Sequence, residues 1–244
     1  MKNKKTQFGF TQVNESEKSK KVESIFNSVS TNYDLMNDFM SLGLHRAWKK
    51  YFIETANLRN DAKILDIAGG TADISLAFAK KNKTFSIIHS DINQTMLDEG
   101  RKKLIDHGII LPSIVCDCES LPFQDNFFDC VTIGFGLRNM THKLNAIAEA
   151  YRVLTPGGKL LILEFSKVWE PLRKIYDVFS FKVIPVLGDL IAKDRASYQY
   201  LVESIRVHPS QEELKKMMEQ IGFYDVSYNN LNAGIVSIHK GYKT

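Results

Sequence analysis

From residue 62 onward the chain alternates short apolar runs with helical stretches, and this rhythm restricts the fold more than any other feature. Lys63-Ile-Leu-Asp-Ile-Ala reads as a buried strand, with a helix from Asp73 to about Lys81 behind it. Phe85-Ser-Ile-Ile-His-Ser is a second strand, followed by a helix from about Gln94 to His107. Ser113-Ile-Val-Cys, Asp129-Cys-Val-Thr-Ile-Gly-Phe and Lys159-Leu-Leu-Ile-Leu-Glu-Phe supply three more strands, the last preceded by a helix over roughly 142–154. Helices are expected at Ala196–Val207 and at Gln211–Ile221, the second capped by Ser210. The alternating segments Phe223–Asn229 and Ile235–Lys240 close the series as a strand pair. Such a chain demands a mostly parallel sheet with helices on both faces and ligands at the carboxyl ends of its strands.

The expected architecture is therefore α/β: a Rossmann-like, mostly parallel seven-stranded sheet. Residues 1–57 read as an N-terminal helical arm, and 58–244 as the core with a helical lid insertion at about 167–209. In the arm, Val22, Ile25, Phe26 and Val29 share a stripe over 16–30, and a further helix covers about 44–57. The lid is unusually apolar across Pro171–Ala192 and is interrupted by Pro185 and Gly188. No stretch reaches the roughly 18 uninterrupted apolar residues of a membrane span. The basic start at Met1 has no apolar region behind it, and the three cysteines form neither a disulfide framework nor a zinc cluster. A cytoplasmic, metal-free protein is expected. The first 50 residues hold nine Lys/Arg against five Asp/Glu, which accounts for the whole net charge of +4. That excess reads as a solvated face or as attraction to an anionic membrane surface; no basic stripe interleaved with aromatics points to nucleic acid.

The site argument begins at Asp66-Ile-Ala-Gly-Gly-Thr-Ala-Asp73, where a strand enters a glycine turn ahead of a helix. Gly69 and Gly70 admit a ligand closer to the backbone than a Cβ would. The dinucleotide spacing G-x-G-x-x-G is not met, and Asp66 at the strand end would repel a pyrophosphate while suiting a cationic amine. This favours S-adenosylmethionine over a nicotinamide dinucleotide. Asp91, 25 residues after Asp66, ends the second strand where ribose hydroxyls are commonly accepted, with Ile92 adjoining it. Asp117 and Cys118 follow the third strand, where an adenine edge is expected. A helix N-cap is the plain alternative for any one such acid, but three after successive strands favour a ligand.

Asp66-Ile-Ala-Gly-Gly-Thr71, Asp125-Asn-Phe-Phe-Asp-Cys-Val-Thr and Tyr151-Arg-Val-Leu-Thr-Pro-Gly-Gly-Lys159 resemble class I S-adenosylmethionine-dependent methyltransferases. The segments Tyr33-Asp-Leu-Met-Asn-Asp-Phe-Met-Ser-Leu-Gly-Leu-His-Arg-Ala-Trp-Lys49, Phe135-Gly-Leu-Arg-Asn139 and Leu163-Glu-Phe-Ser166 narrow the likeness. So do Ser197-Tyr-Gln-Tyr-Leu-Val-Glu-Ser-Ile-Arg206 and Gly234-Ile-Val-Ser-Ile-His-Lys-Gly-Tyr-Lys243. From about Phe8 to its end the chain resembles the ubiquinone/menaquinone biosynthesis C-methyltransferase family. The resemblance implies cofactor contacts at Thr71, Asp91, Asp117 with Cys118, and the position held by Gly134. The family's usual turn has Gly where this chain has Ala72, which is expected to add a methyl near the ligand. It commonly has Ser where Gly134 stands, so one hydrogen bond of about 0.5–1.5 kcal/mol is missing.

The same resemblance implies methyl transfer to a ring carbon of a prenylated quinol: demethylmenaquinol, 2-polyprenyl-6-methoxy-1,4-benzoquinol, or both. A ring carbon becomes nucleophilic when an adjacent hydroxyl, of ordinary pKa about 10, loses its proton. Arg138 and Asn139, after the fourth strand, are the catalytic candidates; an always-charged Arg138 stabilises an oxyanion directly or through a water, or else is salt-bridged to Glu164. His45 and His208 are the titratable candidates, and Tyr33, Tyr198 and Tyr200 the candidates to line the ring. Met36, within Met36–Met40, and the apolar stretch 171–192 suit an isoprenoid tail in a channel open to the membrane. Alternatives are a methyltransferase for another small acceptor, such as a sterol or soluble phenol, and a non-catalytic S-adenosylmethionine-binding scaffold. A homodimer or a quinone-biosynthesis complex fits either reading.

Overall fold

The computed structural model describes residues 4–29, 37–38, 41–186, 189 and 194–244. Tyr33 and Met36 lie outside them, as does most of the Met36–Met40 segment.

The chain opens with a feature the sequence reading lacks. Lys5–Phe8 (β1) and Thr11–Asn14 (β2) pair as an antiparallel hairpin ahead of the helix Glu15–Val29 (α1). Gly9 takes the turn at φ 56, and the Phe10 N–H donates to Glu203 Oε2 at 3.1 Å. The arm is thus not wholly helical: its first residues gain a partner 193 positions away, which local patterning does not register. Leu44–Ala56 (α2) then leads into the sheet.

The strands are Lys63–Ile67 (β3), Ser86–Asp91 (β4), Ser113–Val115 (β5), Phe128–Gly134 (β6), Leu154–Phe165 (β7), Tyr224–Leu231 (β8) and Val236–Tyr242 (β9). They form one sheet in the order β5-β4-β3-β6-β7-β9-β8. β5, β4, β3, β6 and β7 pair in parallel, while β9 runs antiparallel to both β7 and β8. The chain winds outward from β3 to β5, then returns to β6 on the other side of β3. This reversal opens a crevice beyond the carboxyl ends of β3, β4 and β6.

Asp73–Lys81 (α3), Gln94–Asp106 (α4), Lys143–Val153 (α5), Glu170–Val178 (α6), Arg195–Val207 (α7) and Gln211–Ile221 (α8) complete the described helices longer than one turn. Local chemistry sets their ends. Asn93 caps α4 by accepting from Met96 N–H at 3.0 Å, and Ser210 with Glu213 forms a capping box on α8. Gly222, at φ 115, ends α8 in the left-handed region. One apolar cluster joins Phe52, Ile64, Phe78, Leu161 and Tyr198, tying α2 and α7 to one sheet face; the other packs α5 and α8 on the opposite face through Ile147, Val153, Leu160 and Met218.

Candidate active site

A cavity of about 350 Å³ lies in the crevice. Its floor comes from the strand ends: Ala68 and Gly70 after β3, Asp91 and Ile92 at β4, Asp117 and Cys118 after β5, Gly134 and Phe135 at β6. Asn139 and Met140 line its edge, and α1 forms the facing wall through Ser16, Ser19, Val22, Glu23 and Phe26.

The turn after β3 is held by its neighbours. Asp91 Oδ2 accepts from Gly70 N–H at 2.9 Å, and Oδ1 from Asn93 N–H at 2.8 Å. Each carboxylate oxygen keeps a lone pair for a further donor. Burial raises the Asp91 pKa above the usual carboxylate value. Beneath the turn His89 is fully buried, with Nε2 3.1 Å from the Gly70 carbonyl. Close packing there requires glycine: a Cβ on Gly100 of α4 would stand 2.8 Å from the Gly70 oxygen.

Not every predicted contact faces the cavity. Gly70, Asp91, Ile92, Asp117, Cys118, Gly134 and Asn139 line it; Asp66, Gly69 and Thr71 do not. The Asp66 carboxylate, expected to meet a cationic amine, is instead turned into the protein. It accepts from Ser75 Oγ at 2.7 Å and Thr132 Oγ1 at 2.9 Å, and burial pushes its pKa up to about 6. The Ala72 methyl also points elsewhere: it is fully buried and packs with Leu76 and Leu104, although Ala72 itself sits at φ 64. At Gly134 a Cβ would fall 2.1 Å from Ile74 Cδ1, so Ile74 occupies the space a serine there would need.

The acceptor-side candidates separate similarly. Arg138 is buried; Nη1 meets Glu164 Oε1 at 3.0 Å and also donates to the Phe135 carbonyl. The salt-bridge alternative is therefore realised, and the guanidinium does not line the cavity. Asn139 does line it, and its Oδ1 accepts from Tyr200 O–H at 3.2 Å, leaving the amide NH₂ to donate. Burial pushes the Tyr200 phenol up to about 12, which keeps it a donor. Tyr198 is core packing. His45 meets Asp38 at 2.9 Å on another surface, and His208 is buried without a hydrogen-bond partner among the described residues. Burial lowers the pKa of both rings, His208 most, so His208 stays neutral. Among the described residues, none of 167–209 lines the cavity, and the lid's apolar side chains do not enclose a channel with it.

The α1 wall escaped the sequence reading. Its signal was present as Ser16, Ser19 and Glu23 at helical spacing with Val22 and Phe26, two members of the apolar stripe. Buried Lys18 fastens this wall by donating to the Met140 carbonyl at 3.0 Å. Asn93 Nδ2 adds a bond to Asn27 Oδ1 at 2.9 Å. Burial, with Lys143 nearby, lowers the Lys18 pKa to about 8.

The lining chemistry selects the ligand. Glu15, Glu23, Asp91, Asp117 and Glu119 face the cavity, while among the described residues no Lys or Arg does. A pyrophosphate would be repelled from such a site; a sulfonium with an ammonium group and ribose hydroxyls fits it. Among the described residues no cluster of three or more metal-ligating side chains occurs.

Comparison with known proteins agrees with that chemistry. The ubiE/COQ5 methyltransferase family profile matches residues 13–243. The chain belongs to the ubiE/COQ5 methyltransferase family. It is 60% identical over 240 residues to the ubiquinone/menaquinone biosynthesis C-methyltransferase UbiE of Paraburkholderia xenovorans, covering 98% of this chain and 99% of the relative. The same coverage and identity hold for UbiE of Burkholderia mallei. Solved structures share the fold at lower identity. An S-adenosylmethionine-dependent methyltransferase from Thermotoga maritima superposes with TM-score 0.65 at 18% identity, over 91% of this chain and 99% of that one. A Haemonchus contortus phosphoethanolamine N-methyltransferase 2, solved with S-adenosyl-L-methionine, gives 0.59 at 14%, over 80% and 52%. As a member of the ubiE/COQ5 family, the chain is an S-adenosylmethionine-dependent C-methyltransferase with a Rossmann-like fold.

Proposed function

We propose that the chain methylates a ring carbon of a prenylated quinol, demethylmenaquinol or 2-polyprenyl-6-methoxy-1,4-benzoquinol, in menaquinone or ubiquinone biosynthesis. What supports the acceptor is full-length kinship with relatives named for that pathway, joined to one local observation: Asn139 presents a hydrogen-bonding amide at the edge of an acidic cofactor cavity. Asp91 would hold ribose hydroxyls, and Asp117 with Cys118 would flank the adenine. When bound, S-adenosylmethionine supplies an electrophilic methyl on a sulfonium.

The protein's task is to turn the acceptor into a quinolate and hold its carbon in place, since positioning is a large share of such catalysis. Asn139 is assigned to the acceptor oxygen, donating through the NH₂ that Tyr200 leaves free. Arg138 acts one step removed: its pair with Glu164 fixes the turn Leu137–Asn139, and so aims Asn139. Asn139→Ala should lower kcat about a hundredfold with little change in cofactor affinity, the usual size for losing one oxyanion donor. Radiolabelled methyl transfer to reduced short-chain benzoquinol and naphthoquinol tests the function. The reduced rings should be methylated and the oxidised quinones not, because these have no hydroxyl to ionise. Cofactor binding without transfer to either reduced ring would instead leave a scaffold.

The fate of the tail extends this reading. The acceptor's isoprenoid chain belongs in a bilayer, and among the described residues no helix is long and apolar enough to cross one. On the proposed reading the protein meets its acceptor at the cytoplasmic face of the membrane as a peripheral partner.

A further inference from the structure

Outside the cavity, the least explained part of the molecule is the outer face of 169–186. None of the residues of α6 is buried. Trp169 is 61% and Ile175 71% exposed; Leu172, Val178, Phe181 and Val186 are exposed as well. Leu172, Ile175 and Val178 follow one another at i, i+3 spacing, so each neighbours the next on the exposed helix, and Trp169 stands at its N-cap. A monomer rarely leaves so continuous an apolar face in water without a use for it. The face also extends across the chain: Phe10, at the hairpin tip and 57% exposed, stacks on Phe181 with ring centres 6.0 Å apart.

Charge identifies the partner. Lys167, Arg173, Lys174 and Lys182 flank the stripe, and Lys4 and Lys5 stand exposed on the adjoining hairpin. The acids on α6, Glu170 and Asp177, are both engaged by Arg173, and Asp177 also by Arg206. Lys167 pairs with Glu213 at 3.6 Å, so among the described residues the cations around the face without an ion pair are Lys174 and Lys182, with Lys4 and Lys5 on the hairpin. An apolar stripe with a tryptophan at one end and a cationic rim is the pattern of a helix lying in a lipid interface. An interface between copies of one chain would instead bring these lysines together.

We propose that this face docks on an anionic phospholipid bilayer, with α6 parallel to the membrane plane, the Trp169–Phe181 stripe among the acyl chains and Phe10 beside it. Its use, presenting the site to a tail that stays in the bilayer, rests on the prenylated-quinol reading. The contact itself does not. It also moves the membrane contact away from α1, whose inner face lines the cofactor cavity.

The full chain should co-sediment with phosphatidylcholine vesicles containing phosphatidylglycerol, at least tenfold less with phosphatidylcholine alone or at high salt. Trp48 is already buried, so a blue shift of tryptophan emission on vesicle addition reports Trp169. Ile175→Glu should weaken binding to the anionic vesicles at least tenfold, leaving S-adenosylhomocysteine affinity and methylation of a soluble short-chain quinol unchanged. If that variant loses S-adenosylhomocysteine binding, the Lys174→Glu, Lys182→Glu pair reads the same surface, and a tenfold loss is expected again. Wild-type protein indifferent to anionic vesicles, or variants that bind them as well as wild type, would overturn the proposal. So would Ile175→Glu converting a dimer to monomer with vesicle binding intact, which makes the face an interface between copies. Vesicle binding without turnover of the soluble quinol removes the acceptor assignment but not the docking surface.

Discussion

One wall of the cofactor cavity is the rim of β3, β4 and β6; the wall opposite is α1, and the two reach the site by different means. At the rim, the turn after β3 and the acid at the end of β4 are 21 residues apart and joined by the Gly70–Asp91 bond. Parallel pairing of β3 with β4 brings them together automatically. The α1 wall has no such guarantee. It is fastened by Lys18 to Met140, 122 residues away, and by Asn27 to Asn93. The rim is a consequence of the sheet, whereas the α1 wall is a docked part.

The largest blow to the rim should come from Asp91→Ala. It loosens the Gly70 turn and, on the proposed reading, removes the acceptors for two ribose hydroxyls; the loss expected from charge-assisted bonds of this kind is about 4 kcal/mol, a roughly thousandfold weaker S-adenosylhomocysteine affinity by calorimetry. Removal of residues 1–20 attacks the other wall. Because it deletes Ser16, Lys18 and Ser19, affinity should fall by about a hundredfold, since the cavity is left open on one side. Unchanged affinity would make α1 dispensable and end the comparison.

Asp66 sharpens the contrast from within the sheet. With its folded pKa raised to about 6 from 3.8, the native state binds its proton more tightly than the unfolded chain does. Its contribution is therefore complete below about pH 4 and lost as pH rises through 6. Denaturant titrations should show stability falling by about 2 kcal/mol over that window from this group, and Asp66→Asn should remove the step. The smallest effect is expected for Ala72→Gly. Relief at φ 64 and loss of a buried methyl offset one another to within about 1 kcal/mol, and cofactor affinity should not move because the methyl does not face the ligand.

The particular residues show how far a linear reading reaches. Asp91, Ile92, Asp117 and Cys118 all line the cavity, because a strand end is both a sequence pattern and a position in space. Asp66 was placed at the correct strand end but aimed wrongly, since strand alternation and the hydroxyls of Ser75 and Thr132 decide where its carboxylate points. Arg138 presented a choice between oxyanion and salt bridge that only the arrival of Glu164 from β7 could settle. His45 and His208 were selected for chemistry their surroundings do not support: one is bonded to Asp38 on another surface, the other is buried and neutral.

By itself the sequence determined the alternation of strands and helices and the acids at the strand ends, because periodicity and turn chemistry act over a few residues; the strand order and the reversal at β3 came with the pairing of the sheet. Tertiary structure alone decided that the hairpin Lys5–Asn14 precedes α1, that α1 walls the cavity and that the lid turns an apolar face outward. Those outcomes depend on contacts between segments 60 to 190 residues apart, where burial and pairing outweigh local preference.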